Sequence, residues 1–276
     1  MNLLAEEKQG DGVYLFCLAR SALLGEFQGT AGDGQTPIHV QSCREIAAVV
    51  RSVSLEEFTG PEAEARLQDL SWIGPRACRH EEIIEQVMNC SPVLPVPFGT
   101  IFASPASLQS RLLAHYEAAA GFLDRVSGQE EWAVKGLLDR TKAKEKLRDL
   151  ALAREAGTLI TLSPGARYFK EQRLLAELEK GVGEWLQQVR GKIHGSLEVH
   201  ASDFCERKLL SRGVTGEDRE MVLNWAFLTP PSAVASLRER IDLANAEYDG
   251  QGLFFQLSGP WPPYSFCPSF APEEDR

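Results

Sequence analysis

The 276-residue sequence lacks the patterns that mark most metal sites and cross-links. Its six cysteines include no C-x-x-C pair and match no zinc spacing, so buried free thiols are expected. The cluster of Cys78, His80 and Glu81 is the best metal candidate, but Cys78 and His80 would point about 200° apart on a helix. We therefore predict no metal and no cofactor, and expect His80 to hydrogen-bond or to serve local packing.

The sequence also has little that suits a membrane or a nucleic acid. Residues 1–10 are polar and lack the apolar core of a signal peptide, and no apolar run approaches the roughly 20 residues that span a bilayer. A formal net charge of -10 would repel phosphate backbones and anionic lipid. The most basic stretch, residues 140–148, is interrupted by acidic residues and is interpreted as a solvated helix face. These features favour a cytoplasmic protein without nucleic-acid or membrane partners.

Catalytic motifs are missing as well. The sequence contains no H-E-x-x-H, no G-x-S-x-G and no P-loop, and the glycines of the stretch from Gly25 to Gly34 do not form a dinucleotide-binding pattern. The remaining histidines are scattered along the sequence: His39, His115, His194 and His200. His115 lies on an apolar helix face and is expected to be a hydrogen-bonded core residue. The sequence therefore predicts no enzyme.

The composition that is present suits a globular chain of two domains, with 43% hydrophobic and 25% charged residues. In the first half, strands are predicted at 13–18, 38–40, 46–53 and 93–98, and helices at 61–70, 75–89 and 104–126. Prolines 92, 95 and 97 make the strand at 93–98 an edge strand or an irregularly paired one. A break at Ser127-Gly128 sets the boundary of an N-terminal α+β domain with a mixed α/β sheet, residues 1–127.

The second half, residues 128–276, follows a regular order of elements. Strands are predicted at 131–138, 204–210, 221–228 and 252–257, and helices at 142–156, 174–197 and 230–248. The order β-α-β-β-α-β is the ferredoxin-like pattern, here with one inserted helix after the first strand and a Pro/aromatic segment at the C-terminus. The predicted fold class is therefore α+β.

Two runs rich in aromatic and proline residues are the most informative segments, Val93–Phe102 and Gly259–Phe266. One interpretation is structural: the first is a strand that ends in a tight turn at Gly99, and the second is a rigid polyproline-like segment that covers a sheet. The other is an interaction surface, because Trp, Tyr and Pro supply contact area at low entropic cost. The residues alone leave both open.

Six elements in order make the chain similar to the gas vesicle protein F/L family, from about Val13 to Phe266. They comprise a first strand with a tyrosine, a Trp and a His-Glu pair on one helix, a Leu-Pro…Phe-Gly-Thr segment, a Glu-Trp…Val-Lys strand, a Gly-x-x-Tyr element and a terminal Gly-Pro-Trp-Pro-Pro-Tyr-Ser-Phe. Their residues here are Tyr14; Trp72, His80 and Glu81; Leu94, Pro95, Phe98, Gly99 and Thr100; Glu131, Trp132, Val134 and Lys135; Gly165 and Tyr168; and Gly259, Pro260, Trp261, Pro262, Tyr264 and Phe266. Pro97 departs from the family, where a basic residue is frequent.

The resemblance implies an accessory protein of gas vesicle assembly without catalytic residues. It implies binding of the major shell protein to support nucleation or to prevent aggregation, with other accessory proteins as further partners. A lasting place as a minor vesicle component is the alternative to transient binding. Fifteen of the matched residues become candidates for partner binding or for shaping the domains: Trp72, His80, Glu81, Pro95, Phe98, Gly99, Thr100, Trp132, Lys135, Tyr168, Pro260, Trp261, Pro262, Tyr264 and Phe266. The alternatives are a ferredoxin-like domain or enzyme that binds a small molecule, and a shell protein, which the acidity and size disfavour.

Overall fold

The computed structural model describes residues 11–25, 27, 37–59, 61–211 and 218–268. It divides into two compact units, the first formed by residues 1–129 with 261–276 and the second by residues 130–260. The expected boundary at 127/128 differs from this division mainly at the C-terminus, since the segment from Trp261 onward groups with the first unit. The division into domains 1–127 and 128–276 stays a prediction. The Gly25–Gly34 loop lies mostly outside the described residues.

The first unit is built on a five-stranded sheet whose strands pair antiparallel. Its order is β2-β3-β1-β4, and β5 also pairs with β1. The central strand β1 is buried from Val13 to Ala19, as its apolar sequence predicts for a strand that is covered on both faces. β4 ends the order, so the expected edge position of this proline-rich strand is confirmed. The strands are β1 (Asp11–Arg20), β2 (His39–Cys43), β3 (Ile46–Ser54), β4 (Val93–Pro95) and β5 (Ile101–Phe102).

Helices cover this sheet. α3 turns His80, Ile83, Ile84 and Val87 inward and contacts β1 and β4, while α4 and α5 also contact β1. The helices of the unit are α1 (Ser21–Leu24), α2 (Pro61–Arg66), α3 (Leu70–Met88), α4 (Pro105–Ala114) and α5 (Tyr116–Val126).

Three helix predictions in this unit were wrong in detail. α2 ends at Arg66 and not at Leu70. α3 begins at Leu70 and not at Pro75, because the Asp69 carboxylate caps the helix by accepting from the Ser71 N–H at 2.9 Å. The predicted helix 104–126 is interrupted at His115, whose φ of -112° separates α4 from α5. His115 is only partly buried, so the expectation of a core histidine was also wrong.

The second unit contains a four-stranded sheet in the order β7-β8-β6-β9, in which β8 is antiparallel to both β6 and β7. One apolar cluster includes Trp132, Val189, Trp225, Phe227 and Phe255. Strand order and element order are compatible with the ferredoxin-like pattern. The elements are β6 (Glu130–Leu138), α6 (Arg140–Thr161), α7 (Pro164–Ala176), α8 (Leu178–Leu197), β7 (Asp203–Glu206), β8 (Glu220–Thr229), α9 (Val234–Tyr248) and β9 (Leu253–Trp261).

The region between β6 and β7 holds three helices where two were expected. The predicted helix 174–197 is divided at Glu177 into α7 and α8. The spacing of Leu174, Leu178 and Val182 continues across this division, so periodicity could not reveal it. β9 extends to Trp261, which makes residues 259–261 part of a strand and corrects the expectation of a polyproline-like segment there. Within the described residues, no helix is long and apolar enough to cross a membrane.

Candidate functional site

A buried hydrogen-bond network joins β1, α3 and the segment after β4 in the first unit. The Tyr14 hydroxyl lies 2.9 Å from His80 Nδ1, and His80 Nε2 lies 3.0 Å from the Val96 carbonyl oxygen. The Gly99 N–H donates to the Tyr14 hydroxyl at 3.1 Å. Since a buried polar group is stable only when it is hydrogen-bonded, this network ties the Pro-rich segment to the central strand through side chains.

Burial sets the protonation states in this network. It lowers the pKa of His80 to about 4, against the weaker opposing effect of the bond to Val96. Burial raises the pKa of Tyr14 to about 12. The ring of His80, with 1% exposure, is therefore neutral at pH 7, and both its nitrogens are occupied. His80 is thus built as a structural residue and is poorly suited to shuttle protons.

The segment after β4 turns sharply beside this network. Gly99 has a φ of 84°, a conformation that favours glycine, and the Thr100 hydroxyl donates to the Pro97 carbonyl at 2.7 Å. The Phe98 ring packs edge-on to His80 with centroids 5.9 Å apart, and lies 6.2 Å from Tyr14. Gly99 and Thr100 therefore shape the turn, and Phe98 joins the aromatic cluster.

A C-terminal strap, residues 261–268, is held on the same unit. The Tyr264 hydroxyl donates to Glu81 Oε1 at 2.8 Å, and Arg125 Nη2 donates to the Phe266 carbonyl at 2.6 Å. Partial burial raises the pKa of the Glu81 carboxyl, and the bond from Tyr264 opposes that shift. Pro262 and Phe266 are buried, whereas Trp261 is 43% exposed. The strap thus brings four of the expected residues onto the unit that holds His80.

Beside the network lies an arginine cleft, defined by Arg51, Arg76 and Arg79 together with the rings of Tyr14, Phe16, Phe58 and Phe98. The Arg76 guanidinium stacks 4.0 Å above the centroid of Trp72, which in turn packs edge-on to Phe58. The cleft encloses about 80 Å³, well below the roughly 300 Å³ at which small-molecule pockets begin. Its size suits a single side chain.

The remaining expected residues lie in the second unit and serve different purposes. Trp132 is 5% exposed and donates through Nε1 to Glu130 at 2.9 Å, while Lys135 on the same strand is partly exposed. Gly259 lies so close that a Cβ there would be 2.9 Å from the Glu131 carbonyl oxygen and 3.0 Å from the Trp132 ring. The glycine next to Pro260 is therefore required by packing on β6.

Tyr168 lies on α7 of the second unit. It is 58% exposed, its neighbour Phe169 is 74% exposed, and Ile160 at the end of α6 is 79% exposed. The end of the α6–α7 pair therefore presents apolar side chains to solvent, a surface that sequence periodicity did not indicate.

The structure thus collects Trp72, His80, Glu81, Phe98, Gly99 and Tyr264 in one region of the first unit. Sequence reasoning did not find the partners of His80 or the arginine cleft. The sequence does contain a signal for the cleft, because Trp72, Arg76 and Arg79 follow at i, i+4 and i+7 and so share one helix face. Among the described residues, no group of three His, Cys, Asp or Glu side chains could hold a metal ion. Cys78 is exposed, whereas His80 is buried.

Comparison with known proteins decides the family. The family described as gas vesicle synthesis protein GvpL/GvpF matches residues 12–268, which includes the network, the cleft and the strap. The chain belongs to the GvpL/GvpF family. It is 25% identical over 243 residues to gas vesicle protein L of Streptomyces sp. (strain CB03234), covering 87% of this chain and 86% of that protein. It is 22% identical over 275 residues to gas vesicle protein L1 of Halobacterium salinarum, covering 95% and 92%.

Solved structures of GvpF share the fold of this GvpL/GvpF family member. The crystal structure of GvpF from Anabaena sp. PCC7120 superposes with a TM-score of 0.68 at 15% identity, covering 94% of this chain and 99% of that one. GvpF from Microcystis aeruginosa gives 0.65 at 16% identity, covering 92% and 98%. The predicted α+β fold class and the resemblance drawn from the sequence are both confirmed.

Proposed function

We propose that this chain is an accessory factor of gas vesicle assembly that binds the major shell protein before or during its polymerisation. The observation that carries the proposal is the family match over residues 12–268. A shell monomer that exposes apolar surface would aggregate unless it were shielded. A chain with a net charge of -10 and apolar patches of its own is suited to hold such a monomer in solution.

The exposed aromatic residues support contact with an apolar partner. Trp261 on the strap and Tyr168 and Phe169 on α7 expose large rings, and interface energy is concentrated in such residues. Phe98, in contrast, is partly buried against Tyr14 and His80, so we assign it to the fold rather than to the contact. The rings of Trp261, Tyr168 and Phe169 are therefore the first candidates for the surface that binds the shell protein.

The proposed role is non-catalytic and places the chain in the cytoplasm and on the gas vesicle. Its support is the neutral, doubly hydrogen-bonded His80 and an arginine cleft that is small for a substrate. A ferredoxin-like enzyme would require a larger concave pocket with converging polar groups. If His80→Gln keeps the fold but abolishes vesicle formation, the non-catalytic assignment is lost.

Pull-down of the tagged protein with the co-expressed major shell protein tests the binding proposal. Trp261→Ala and the double variant Tyr168→Ala/Phe169→Ala should each weaken binding by about 2 kcal/mol, roughly 30-fold in Kd, if the ring is an interface anchor. Leu243→Ala is the matched control, because Leu243 is 54% exposed on α9 and lies outside both segments. Circular dichroism confirms that each variant is folded. Wild-type binding by every folded aromatic variant would reject these surfaces, and no capture by the wild-type chain would reject the partner.

A further inference from the structure

The arginine cleft has a property that the proposed shell-protein contact does not use. Arg79 Nη1 forms an ion pair with Glu82 Oε2 at 3.0 Å, but its second terminal nitrogen, Nη2, is buried and has no hydrogen-bond partner among the described residues. A buried guanidinium nitrogen without an acceptor is costly, and proteins rarely leave one unfilled. The Arg79 side chain lines the cleft and is 23% exposed, so a small rotation of its guanidinium group would present this nitrogen to an acceptor oxygen from outside the chain.

The surroundings specify what kind of acceptor fits. Arg51 and Arg76 line the same cleft, so three arginines surround it in a chain whose net charge is -10. Arg76 is oriented by stacking on Trp72 and by its donation from Nη1 to the Trp72 carbonyl at 3.1 Å. Guanidinium groups form planar, two-pronged hydrogen bonds with carboxylates, so a carboxylate is the matching group.

The other wall and the size of the cleft narrow the ligand further. Aromatic rings, among them Phe58 and Phe98, form this wall and favour an apolar neighbour of the carboxylate. A volume of about 80 Å³ holds one side chain and not a drug-sized molecule. We propose that the arginine cleft binds an acidic segment of a partner protein, with one Asp or Glu side chain in the cleft, its carboxylate on Arg79 and Arg76, and an adjacent apolar residue of the segment at the mouth of the cleft beside the aromatic wall.

Isothermal titration of the full-length protein at low ionic strength tests this site. The probe is a blocked pentapeptide, Gly-Phe-Asp-Phe-Gly, compared with the same peptide in which Asn replaces Asp. The Asp peptide should bind at least about tenfold tighter, because only the carboxylate pairs with the guanidinium groups. Equal affinities, or no binding of the Asp peptide at millimolar concentration, would overturn the proposal.

Arginine variants test whether the preference for the Asp peptide arises in the cleft. Arg79→Gln and Arg76→Gln should each remove most of the tenfold preference, and Arg79→Lys should retain part of it, since lysine keeps the charge but loses the two-pronged geometry. Arg167→Gln on α7 is the control, because Arg167 makes an exposed ion pair with Glu171 outside the cleft. An unchanged preference in both folded cleft variants would show that the peptide binds elsewhere and would overturn the assignment.

Two further arms identify the source of the carboxylate. Inorganic phosphate that displaces the Asp peptide at equal concentration would indicate a small-anion site and contradict the peptide proposal. The chain's own C-terminus carries Glu273, Glu274 and Asp275. If their replacement by Gln, Gln and Asn raises the peptide affinity tenfold, the natural occupant is this acidic tail and not a partner. No change in either arm supports a partner segment.

Discussion

Both units hold a histidine beside aromatic rings, but they do so with different contacts. Each covers an antiparallel sheet with helices, and each places a histidine against aromatic rings. In the first unit His80 is buried and hydrogen-bonded to Tyr14 and to the Val96 carbonyl. In the second, His194 is partly exposed, its ring lies 4.5 Å from that of Phe204, and its Nδ1 is 3.2 Å from Glu198. One histidine holds a loop, whereas the other lies at the margin of an apolar core.

The difference shows where each unit obtains its specificity. Apolar packing in the second unit depends on volume and tolerates no cavity, so its signature residue Trp132 acts by filling space. In the first unit, the hydrogen bonds of His80 and Tyr14 to backbone groups after β4 also fix the geometry of that segment, because such bonds require fixed angles. Damage to the second unit should therefore appear as lost packing energy, and damage to the first as altered pH dependence and loop geometry.

The largest expected effect comes from removing the Trp132 ring. Trp132→Ala should destabilise the protein by about 3–5 kcal/mol, because it empties a buried aromatic site and removes the bond to Glu130. Trp261→Ala is the matched control and should cost about 1 kcal/mol or less, since that ring is 43% exposed. Urea unfolding followed by circular dichroism measures both. Equal losses for the two tryptophans would contradict the division into a core ring and a surface ring.

His80 should make stability depend on pH. Its folded pKa of about 4 lies below the unfolded value of about 6.5, so the unfolded chain takes up the proton first and stability falls as the pH drops from 6.5 towards 4. A shift of this size corresponds to about 3 kcal/mol over that window. In His80→Gln this component is absent, although the variant is less stable at pH 7 because the two hydrogen bonds are weakened or lost.

The comparison of wild type and His80→Gln between pH 7 and 4 isolates the histidine from the carboxylates, which both proteins share. Their difference in unfolding free energy should shrink steadily as the pH falls. Parallel profiles would show that His80 titrates normally and that the network does not exclude the proton.

The sequence predicted elements better than it predicted the contacts between them. Apolar runs predicted β1 and β3, alternation predicted β6, and the stripe of Ile83, Ile84 and Val87 predicted the inner face of α3. Such patterns operate within one element. The bond from Tyr14 to His80 spans 66 residues and that from Tyr264 to Glu81 spans 183, and no local spacing rule connects residues so far apart.

The family resemblance named residues without giving the structural reasons for them. Gly259 was recognised as part of a signature, but its cause is the approach of the β6 backbone, where a Cβ would be 2.9 Å from the Glu131 oxygen. The helix division at Glu177 was invisible because the apolar spacing continues across it. Arg79 was overlooked because an arginine in a helix is usually solvated, and only burial of Nη2 distinguishes it.

The smallest expected loss of stability comes from the strap, where removal of one hydroxyl separates the contribution of a hydrogen bond from that of packing. Tyr264→Phe keeps the ring and removes the donor to Glu81, so it should cost about 0.5–1.5 kcal/mol. The loss should be smaller than that from His80→Gln because Glu81 is only partly covered, so water can reach its carboxylate and replace the hydroxyl. Tyr168→Phe on α7 is the control and should leave stability unchanged.

The same variant makes a second prediction about charge. Burial raises the pKa of the Glu81 carboxyl, and the Tyr264 hydroxyl opposes this by hydrogen-bonding the ionised form. Removing the hydroxyl should therefore raise the Glu81 pKa further, which ¹³C NMR titration of the carboxyl carbon can follow. With the folded pKa above the unfolded one, Tyr264→Phe should regain stability relative to wild type as the pH falls through that raised pKa. A Glu81 pKa that stays constant or falls would show that the bond between strap and α3 is not populated in solution, and that the strap is held by the packing of Pro262 and Phe266.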